Sequence, residues 1–232
     1  MIENRQLTWD GCVNVRDLGG LRTRDGRVTH WGAVVRGDHP ARLTAAGWSA
    51  LYAHGIRTII SLRTHGMEED VSDTAPRPAD LTTVCVAIED ITDTEFVQHW
   101  VDNGLWSTPL YYRDALKRWP QRHAAAISAI ARAQPGGVLF HCARGVDRTG
   151  IMSILVLAAA GVTPDDIVAD YELSLDPERE VLLAREHTST RAVIYATLDW
   201  LDIDAYLHEG GLSQDDLAAV RARLLEPPGT EG

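Results

Sequence analysis

The sequence predicts an α/β protein with a central, mainly parallel sheet of about four or five strands and helices on both faces. Residues 56–62 are mostly apolar and β-branched, which is typical of a buried parallel strand. A second apolar run, residues 138–140, also predicts a strand. Residues 43–54 and 119–133 have the spacing of amphipathic helices. Residues 149–160 are almost entirely apolar, which predicts a helix that is buried on all sides.

The N-terminal half alternates between predicted strands and helices. Residues 28–36 predict the first strand. The helix at 43–54 has Thr44 as its predicted N-cap. After the strand at 56–62, the Pro-, Ala- and Asp-rich residues 70–80 predict a loop. Residues 81–88 then predict another strand, which ends in an acidic loop.

The C-terminal half is mainly helical. Residues 94–118 predict an irregular helical region whose aromatic residues are of the kind usually found in a core. Thr163 and Ser213 are predicted N-caps, because each precedes a helical pattern with acidic residues in its first turn. The other predicted helices of this half are residues 119–133, 149–160, 164–173 and 214–225, and residues 178–201 predict one or two more.

Size, charge and cysteines limit the class of protein. The chain of 232 residues predicts a single domain, 1–232, with a frayed tail at 226–232. The net charge of −11 disfavours sequence-independent binding to nucleic acid and stable association with anionic membranes. Cys12, Cys85 and Cys142 form an odd set without the close pairs of a metal site, which indicates a reducing compartment. No signal segment or membrane span is visible, so we expect a cytoplasmic protein.

The most informative stretch is residues 138–150, which predicts a strand, a tight loop and a helix. N–H groups of a loop that enters a helix N-terminus point inward, and the helix dipole adds positive charge, so the loop predicts a phosphate-sized anion site. Arg148 would bind two phosphate oxygens bidentately. The same field favours the thiolate of Cys142 at the base of the loop. A thiolate beneath a bound phosphate monoester is placed to attack phosphorus.

The other residues of this stretch have predicted supporting roles. Gly145 suits a sharp bend with positive φ, and Thr149 is predicted to donate its hydroxyl to the sulfur. Strand alternation turns His141 away from Cys142, so His141 is predicted to orient the loop. The alternative interpretation of the stretch is a buried structural cysteine before an ordinary helix. The residues predicted to contact phosphate are Ala143, Arg144, Gly145, Val146, Asp147 and Arg148.

The His-Cys-x-x-Gly-x-x-Arg-Thr-Gly motif at residues 141–150 resembles the signature of the cysteine-dependent protein tyrosine phosphatase superfamily. Asp147 narrows the resemblance to bacterial tyrosine and dual- or triple-specificity phosphatases, whose loop usually reads Cys-x-x-Gly-Lys-Asp-Arg-Thr. Val146 departs from that pattern, because these relatives usually have Lys there. Residues 14–20 match their Asn-x-Arg-Asp-Leu-Gly-Gly motif, and residues 170–174 match their Asp-Tyr-x-x-Ser segment. The resemblance therefore covers most of the chain.

The resemblance implies a tyrosine phosphatase-like fold and a metal-independent phosphomonoesterase that forms a phosphocysteine intermediate and needs no cofactor. Cys142 would be the nucleophile and Arg148 the transition-state clamp. The general acid is open between Asp147, which lies at the position thought to be the acid in these relatives, and Asp90 or Asp93 in the acidic loop. The competing interpretation of Asp147 is a purely structural ion pair.

The resemblance implies a phosphorylated partner, either a phosphotyrosine protein or a small phosphate ester. Position 146 is Val and not the lysine usual in these relatives, and the net charge is acidic. Both features disfavour a phosphoinositide substrate, which stays an alternative. A non-catalytic phosphate-binding module is a second alternative, although the nucleophile, the arginine and the threonine are all present. Relatives often carry a helical lid or specificity insert at the position of residues 92–118.

Four residues outside the signature have two interpretations each. Arg36 and Arg63 lie near the ends of predicted strands, where they would either attract the substrate or form structural ion pairs. Arg16 and Asp17 would either support the phosphate loop or belong to a turn that determines the fold.

Overall fold

The computed structural model describes residues 5–67, 72–174 and 176–225. The tail predicted to fray, 226–232, and the start of the predicted loop 70–80 lie outside the described residues. The described residues form five strands: β1 Arg16–Asp17, β2 Val34–Gly37, β3 Ile56–His65, β4 Thr82–Asp90 and β5 Gly137–His141.

The strands form one sheet in the order β1-β2-β5-β3-β4. β1 is antiparallel to β2, and all the other pairs are parallel, which confirms the predicted mainly parallel α/β sheet. The central strand, β5, ends at His141, which is opposite Gly37 of β2 and Ser61 of β3. Open parallel sheets bind ligands beyond the carboxyl ends of their strands, and Cys142 follows β5 at this end of the sheet.

Ten α-helices are present in the described part of the chain. They are α1 Ala45–Ala53, α2 Thr94–Asp102, α3 Tyr112–Arg118, α4 Pro120–Ala131, α5 Asp147–Ala159, α6 Pro164–Glu172, α7 Pro177–Arg185, α8 Thr190–Trp200, α9 Ile203–Glu209 and α10 Gln214–Leu224. The predicted N-caps Thr44, Thr163 and Ser213 are confirmed, because each side chain accepts a hydrogen bond from a backbone N–H of the helix it precedes. Within the described ranges, no helix combines the length and apolarity that crossing a bilayer requires.

Both faces of the inner strands β2, β5 and β3 are mostly buried, and successive residues of a strand point to opposite faces. On one face, Val35, Ile59 and Leu139 pack with Trp48 and Leu51 of α1. The other face belongs to a larger core, with strand residues Val34, Ile60, Val138 and Phe140 and helix residues that include Ile127, Ile151, Leu155 and Val220. Burial on both faces explains why these strands are near-continuous apolar runs.

Several predicted element bounds were wrong. The strand expected at 28–36 is formed only by Val34–Gly37, and Val28 and Thr29 make isolated bridges instead. The buried helix begins at Asp147, not at Thr149, so Asp147 and Arg148 lie in its first turn.

Three other features differ from the prediction. The region predicted at 94–118 is two helices, α2 and α3, joined by a segment with a 3₁₀ turn at Pro109–Tyr111. Part of the predicted turn at 14–20 is the short strand β1, because tertiary pairing with β2 is available there. Helix α9 was missed, and its N-cap is the Asp202 side chain.

Candidate active site

Residues 142–146, here called the Cys142 loop, connect the end of β5 to the start of α5. Gly145 has φ 70°, and a Cβ at this position would lie 2.6 Å from the backbone carbonyl carbon and oxygen of Gly37. Both the backbone conformation and the close approach therefore require glycine, as the sequence predicted. At the other end of the loop, the His39 N–H donates to the Ala143 carbonyl.

Side chains hold the loop by its carbonyl oxygens. The Asn14 amide nitrogen donates to the carbonyls of Arg144 at 3.0 Å and Gly145 at 3.1 Å. Arg36 Nη2 donates to the same Gly145 carbonyl at 3.0 Å. These bonds fix the peptide planes of the loop through their acceptor side.

The same contacts explain the motifs at residues 14–20 and 170–174. Arg5, Arg16 and Arg36 surround the carboxylate of Asp170, and we call these four residues the Asp170 cluster. Arg16 also donates to Ser174 Oγ at 2.8 Å. Arg36 belongs to both the cluster and the loop supports, so the prediction of a structural ion pair for Arg36 is confirmed. Three segments that are distant in sequence therefore meet behind the Cys142 loop.

Asp17 and Arg63 lie apart from the Cys142 loop. Asp17 accepts hydrogen bonds from the N–H groups of Gly19 and Gly32 and contacts His54 Nε2 at 2.7 Å. This geometry supports the fold-determining interpretation of that turn. Arg63 lines a separate cavity of about 130 Å³ together with His141.

A cavity of about 140 Å³ opens above Cys142, and we call it the Cys142 cavity. One side is formed by the loop and the start of α5, and the other by β3, β4 and the segment between α2 and α3. The residues that line it are Thr64, Met67, Glu89, Trp106, Ser107, Tyr111, Cys142, Ala143, Arg144, Asp147 and Arg148. The structure therefore brings together the predicted nucleophile, clamp and acid around one small polar space.

Arg148 contacts β3 and β4. Its Nη1 donates to the Leu62 carbonyl at 2.9 Å, and its Nε lies 3.9 Å from Glu89 Oε2. Glu89 is almost completely buried and accepts hydrogen bonds from Tyr111 Oη at 2.7 Å and Thr64 Oγ1 at 3.3 Å. Burial raises the pKa of the Glu89 carboxyl, against the opposing effects of Tyr111 and Arg148.

Glu89 was not among the site residues predicted from the sequence. The one signal for it was its place among the acidic residues at the end of β4, and that signal does not separate it from Asp90. Strand alternation does separate them, because adjacent residues of β4 point in opposite directions and Glu89 is the one that faces the cavity.

Asp147 lines the cavity at the first turn of α5. Its Oδ1 accepts a hydrogen bond from Arg179 Nη2 at 2.6 Å and a longer one from Tyr112 Oη at 3.4 Å. Its Oδ2 lies 3.8 Å from Arg144 Nη2. Burial raises the pKa of Asp147, although the Arg179 guanidinium opposes that effect. Arg179, on α7, was also missed by the sequence analysis, because nothing local connects it to the loop.

The alternative acids point elsewhere. Asp90 pairs with Arg122 at 2.6 Å and accepts hydrogen bonds from Thr92, and neither Asp90 nor Asp93 is among the residues that line the Cys142 cavity. Burial opposes these bonds, yet they hold the pKa of Asp90 below its usual range. The bond from Arg118 has the same effect on the pKa of Asp93.

His141 and Thr149 lie beneath the loop. His141 is buried, its Nδ1 is 3.1 Å from the Cys142 carbonyl oxygen, and its ring packs edge-on against His39. Burial lowers the pKa of His141 to about 3, so it is neutral at neutral pH. Thr149 is fully buried, and its hydroxyl makes no hydrogen bond to any described residue. The predicted bond from Thr149 to the Cys142 sulfur is therefore not formed in this structure.

The segment predicted as a lid contributes one wall of the cavity. Trp106 stacks on Tyr111 with ring centroids 5.2 Å apart and planes 5° from parallel, and both residues line the Cys142 cavity. Among the described residues, no group of three or more His, Cys, Asp or Glu side chains is arranged to hold a metal ion. The arrangement offers a thiol, cations, the buried Glu89 carboxyl and the partly exposed Asp147 carboxyl to a small anion.

The sequence matches the Tyrosine phosphatase family over residues 7–226. A protein of Cupriavidus necator, provisionally named a tyrosine-protein phosphatase, is 31% identical over 171 residues, which are 71% of this chain and 61% of that protein. A tyrosine-protein phosphatase of Nostoc commune is 34% identical over 147 residues, 61% of this chain and 48% of that protein. The triple specificity protein phosphatase PtpB of Mycobacterium tuberculosis is 40% identical over 196 residues, 72% of this chain and 68% of that protein.

The matched part of the chain spans about half to two thirds of the length of these relatives. The family match includes the Cys142 loop, the Asp170 cluster except Arg5, and every residue that lines the Cys142 cavity. It extends over nearly all of the described residues and confirms the family resemblance that the motifs predicted. The chain therefore belongs to the tyrosine phosphatase family.

Proposed function

We propose that the protein hydrolyses phosphate monoesters through a phosphocysteine intermediate on Cys142. The observation that carries this proposal is the meeting of Cys142, Arg148 and Asp147 around one cavity of about 140 Å³ at the N-terminus of α5. A cavity of this size suits a phosphoryl group, and the helix N-terminus favours its negative charge.

In the first step, the Cys142 thiolate attacks phosphorus and a sulfur–phosphorus bond forms while the bond from phosphorus to the leaving oxygen breaks. Asp147, in its protonated form, gives its proton to the leaving oxygen. Arg148 and the N–H groups of the Cys142 loop bind the phosphoryl oxygens as their charge changes. The raised pKa of Asp147 supports this assignment, because it increases the protonated fraction near neutral pH.

In the second step, water attacks the phosphocysteine and Asp147, now ionised, accepts a proton from that water. The sulfur–phosphorus bond breaks, the thiolate leaves, and inorganic phosphate is released. The cycle regenerates both the thiolate and the protonated acid, so it consumes only water and the ester.

We propose an aryl phosphate, such as phosphotyrosine, as the substrate class. The stacked Trp106 and Tyr111 form a flat aromatic wall at the cavity, which suits an aromatic leaving group. The loop has Val146 where relatives have lysine, and the chain carries a net charge of −11, which disfavours anionic lipid surfaces. A panel of phosphotyrosine and phosphoserine peptides, a phosphoinositide and a sugar phosphate tests this choice, and faster turnover of the lipid would contradict it.

The test of the activity is hydrolysis of 4-nitrophenyl phosphate with EDTA present. We expect Cys142→Ser to lower kcat by at least about 10³-fold, because removal of a nucleophile abolishes the covalent route. Cys85→Ser is the matched control, since Cys85 is an exposed cysteine on β4. Equal rates for the wild type and Cys142→Ser would exclude the phosphatase. Phosphate binding without turnover by the wild type would favour the binding module instead.

A further inference from the structure

Among the described residues, hydrogen bonds hold the Asp147 carboxylate by one of its two oxygens. Arg179 Nη2 and Tyr112 Oη both donate to Oδ1, at 2.6 Å and 3.4 Å. Among the described residues, the polar contact of Oδ2 is Arg144 Nη2, at 3.8 Å, which is too long for a hydrogen bond. The two oxygens of this carboxylate are therefore not equivalent.

Arg179 is itself fixed within a closed ring of hydrogen bonds. Its side chain is 3% exposed, and its Nη1 donates to Tyr171 Oη at 3.2 Å. Tyr171 Oη is 2.7 Å from Tyr112 Oη, which in turn donates to Asp147 Oδ1. We call these four residues the Asp147 ring. They come from α3, α5, α6 and α7, so four helices together set the direction of one carboxylate.

The charges around Asp147 act in opposite directions. The charged groups that face it are Arg179, Arg144 and Arg148, with Glu89 across the cavity and Asp176 beyond Arg144 and Arg179. The neutral hydroxyls of Tyr112, Tyr171 and Tyr111 also lie near it. Burial favours the protonated carboxyl, and the Arg179 guanidinium favours the ionised one. Arg179 thereby keeps both protonation states accessible, which a group that alternates between acid and base requires.

We propose that Arg179 is a positioning residue that anchors Oδ1 of Asp147 and thereby leaves Oδ2 as the oxygen that carries the proton to and from the reacting group. This inference rests on the proposed function, because it assigns a direction to the proton transfer of that reaction. In the first step the proton moves from Oδ2 to the leaving oxygen, and in the second step Oδ2 receives a proton from the attacking water. Arg179 is not among the residues that line the Cys142 cavity, so it acts through Asp147.

The test compares two leaving groups in Arg179→Met and in the wild type. A poor leaving group needs its proton more than a good one does, so we expect about a tenfold loss of kcat on phenyl phosphate and a clearly smaller loss on 4-nitrophenyl phosphate. The KM values should change less than kcat. The basic limb of the pH profile should move to higher pH, because loss of the guanidinium raises the pKa of Asp147 further.

Three further variants separate positioning from general support of the fold. Arg179→Lys keeps the charge, so its basic limb should stay near that of the wild type. Arg191→Met removes a guanidinium that pairs with Glu172, and it should match the wild type on both substrates. Tyr112→Phe removes the longer bond to Oδ1 and the contact with Tyr171 but keeps the Arg179 bond, so it should show smaller changes in the same direction as Arg179→Met. If Arg179→Met does not fold, the two single variants Tyr112→Phe and Arg179→Lys test the inference in its place.

An equal loss on both leaving groups with an unmoved basic limb would overturn the inference. The inference would also be overturned if Arg179→Met lowered kcat as much in the Asp147→Asn background as in the wild type. A positioning residue has no separate effect once its target is removed. Both results leave the proposed function standing. That function fails by a different observation, namely Cys142→Ser turnover equal to that of the wild type.

Discussion

Asp170, which is fully buried, and Asp147, whose side chain is 17% exposed, are both paired with arginines, yet they differ in how many cations each one meets. Asp170 accepts bonds on both oxygens, from Arg5 at 2.7 Å and Arg16 at 3.1 Å on Oδ1 and from Arg36 at 2.7 Å on Oδ2. Asp147 is bound strongly on one oxygen by a single arginine.

The pKa values follow this difference. Burial raises the pKa of both carboxyls, but the arginines around Asp170 outweigh burial and hold its pKa well below the usual range. At Asp147, burial outweighs the single close guanidinium, and the pKa is raised. A saturated carboxylate stays ionised and ties segments together, whereas a half-bound one can exchange a proton. The number of cations around a carboxylate in the protein interior therefore separates a structural role from a chemical one.

The largest effect should come from Asp170→Asn. Loss of this charge leaves Arg5, Arg16 and Arg36 buried without their common partner, so we expect a loss of about 3–5 kcal/mol in the free energy of unfolding. Urea denaturation of both proteins measures it. Asp25→Asn is the control, because the pair of Asp25 with Arg27 is exposed and should matter little.

The pH dependence of stability sharpens the same comparison. The pKa of Asp170 is depressed in the folded state, so its contribution is present above the unfolded pKa of about 4 and is lost as the pH falls below it. The wild type should therefore lose more stability than Asp170→Asn between about pH 5 and pH 2. Parallel pH profiles for the two proteins would show that the Asp170 cluster does not stabilise the fold in this way.

Asp147→Asn should separate activity from stability. We expect a loss of about 10²-fold in kcat on phenyl phosphate, because the amide cannot donate and accept the proton of a general acid and base. The loss on 4-nitrophenyl phosphate should be smaller. The unfolding midpoint should fall less than in Asp170→Asn, since one arginine loses its partner instead of three. A kcat close to that of the wild type on both substrates would show that Asp147 is not the acid.

The smallest effect should come from Asp90→Asn. The pair of Asp90 with Arg122 is partly exposed, and pairs of this kind contribute about 0–1 kcal/mol to stability. Rates on phenyl phosphate should stay within about twofold of the wild type, because Asp90 does not line the Cys142 cavity. If Asp90→Asn lost rate and Asp147→Asn kept a normal rate, the general acid would be Asp90 and not Asp147.

Features set by a few neighbouring residues were predicted better than features set by tertiary contacts. The strand before Cys142, the bend at Gly145 and the caps at Thr44 and Ser213 depend on a few neighbouring residues, and each was predicted correctly. The strand expected at 28–36 was mostly wrong, because pairing with β5 covers only its last residues.

The site shows the same division. The residues of the Cys142 loop were identified because one motif contains them all in a short stretch. Glu89 and Arg179 were missed, although they contact the predicted clamp and the predicted acid. Acidic residues at strand ends and arginines on helices are common. No local sequence pattern shows which residue such a side chain will contact in the fold.

By itself, the sequence determined the α/β class, the Cys142 loop and the helix that follows it, because local backbone preferences and apolar periodicity act over a few residues. Only the tertiary structure decided which carboxyls enter the Cys142 cavity and which cations they meet. Arg179 and Asp147 are 32 residues apart, and Arg16 and Asp170 are 154 apart. The packing of helices and strands sets such distances, and with them the burial and charge that distinguish a proton donor from a structural ion pair.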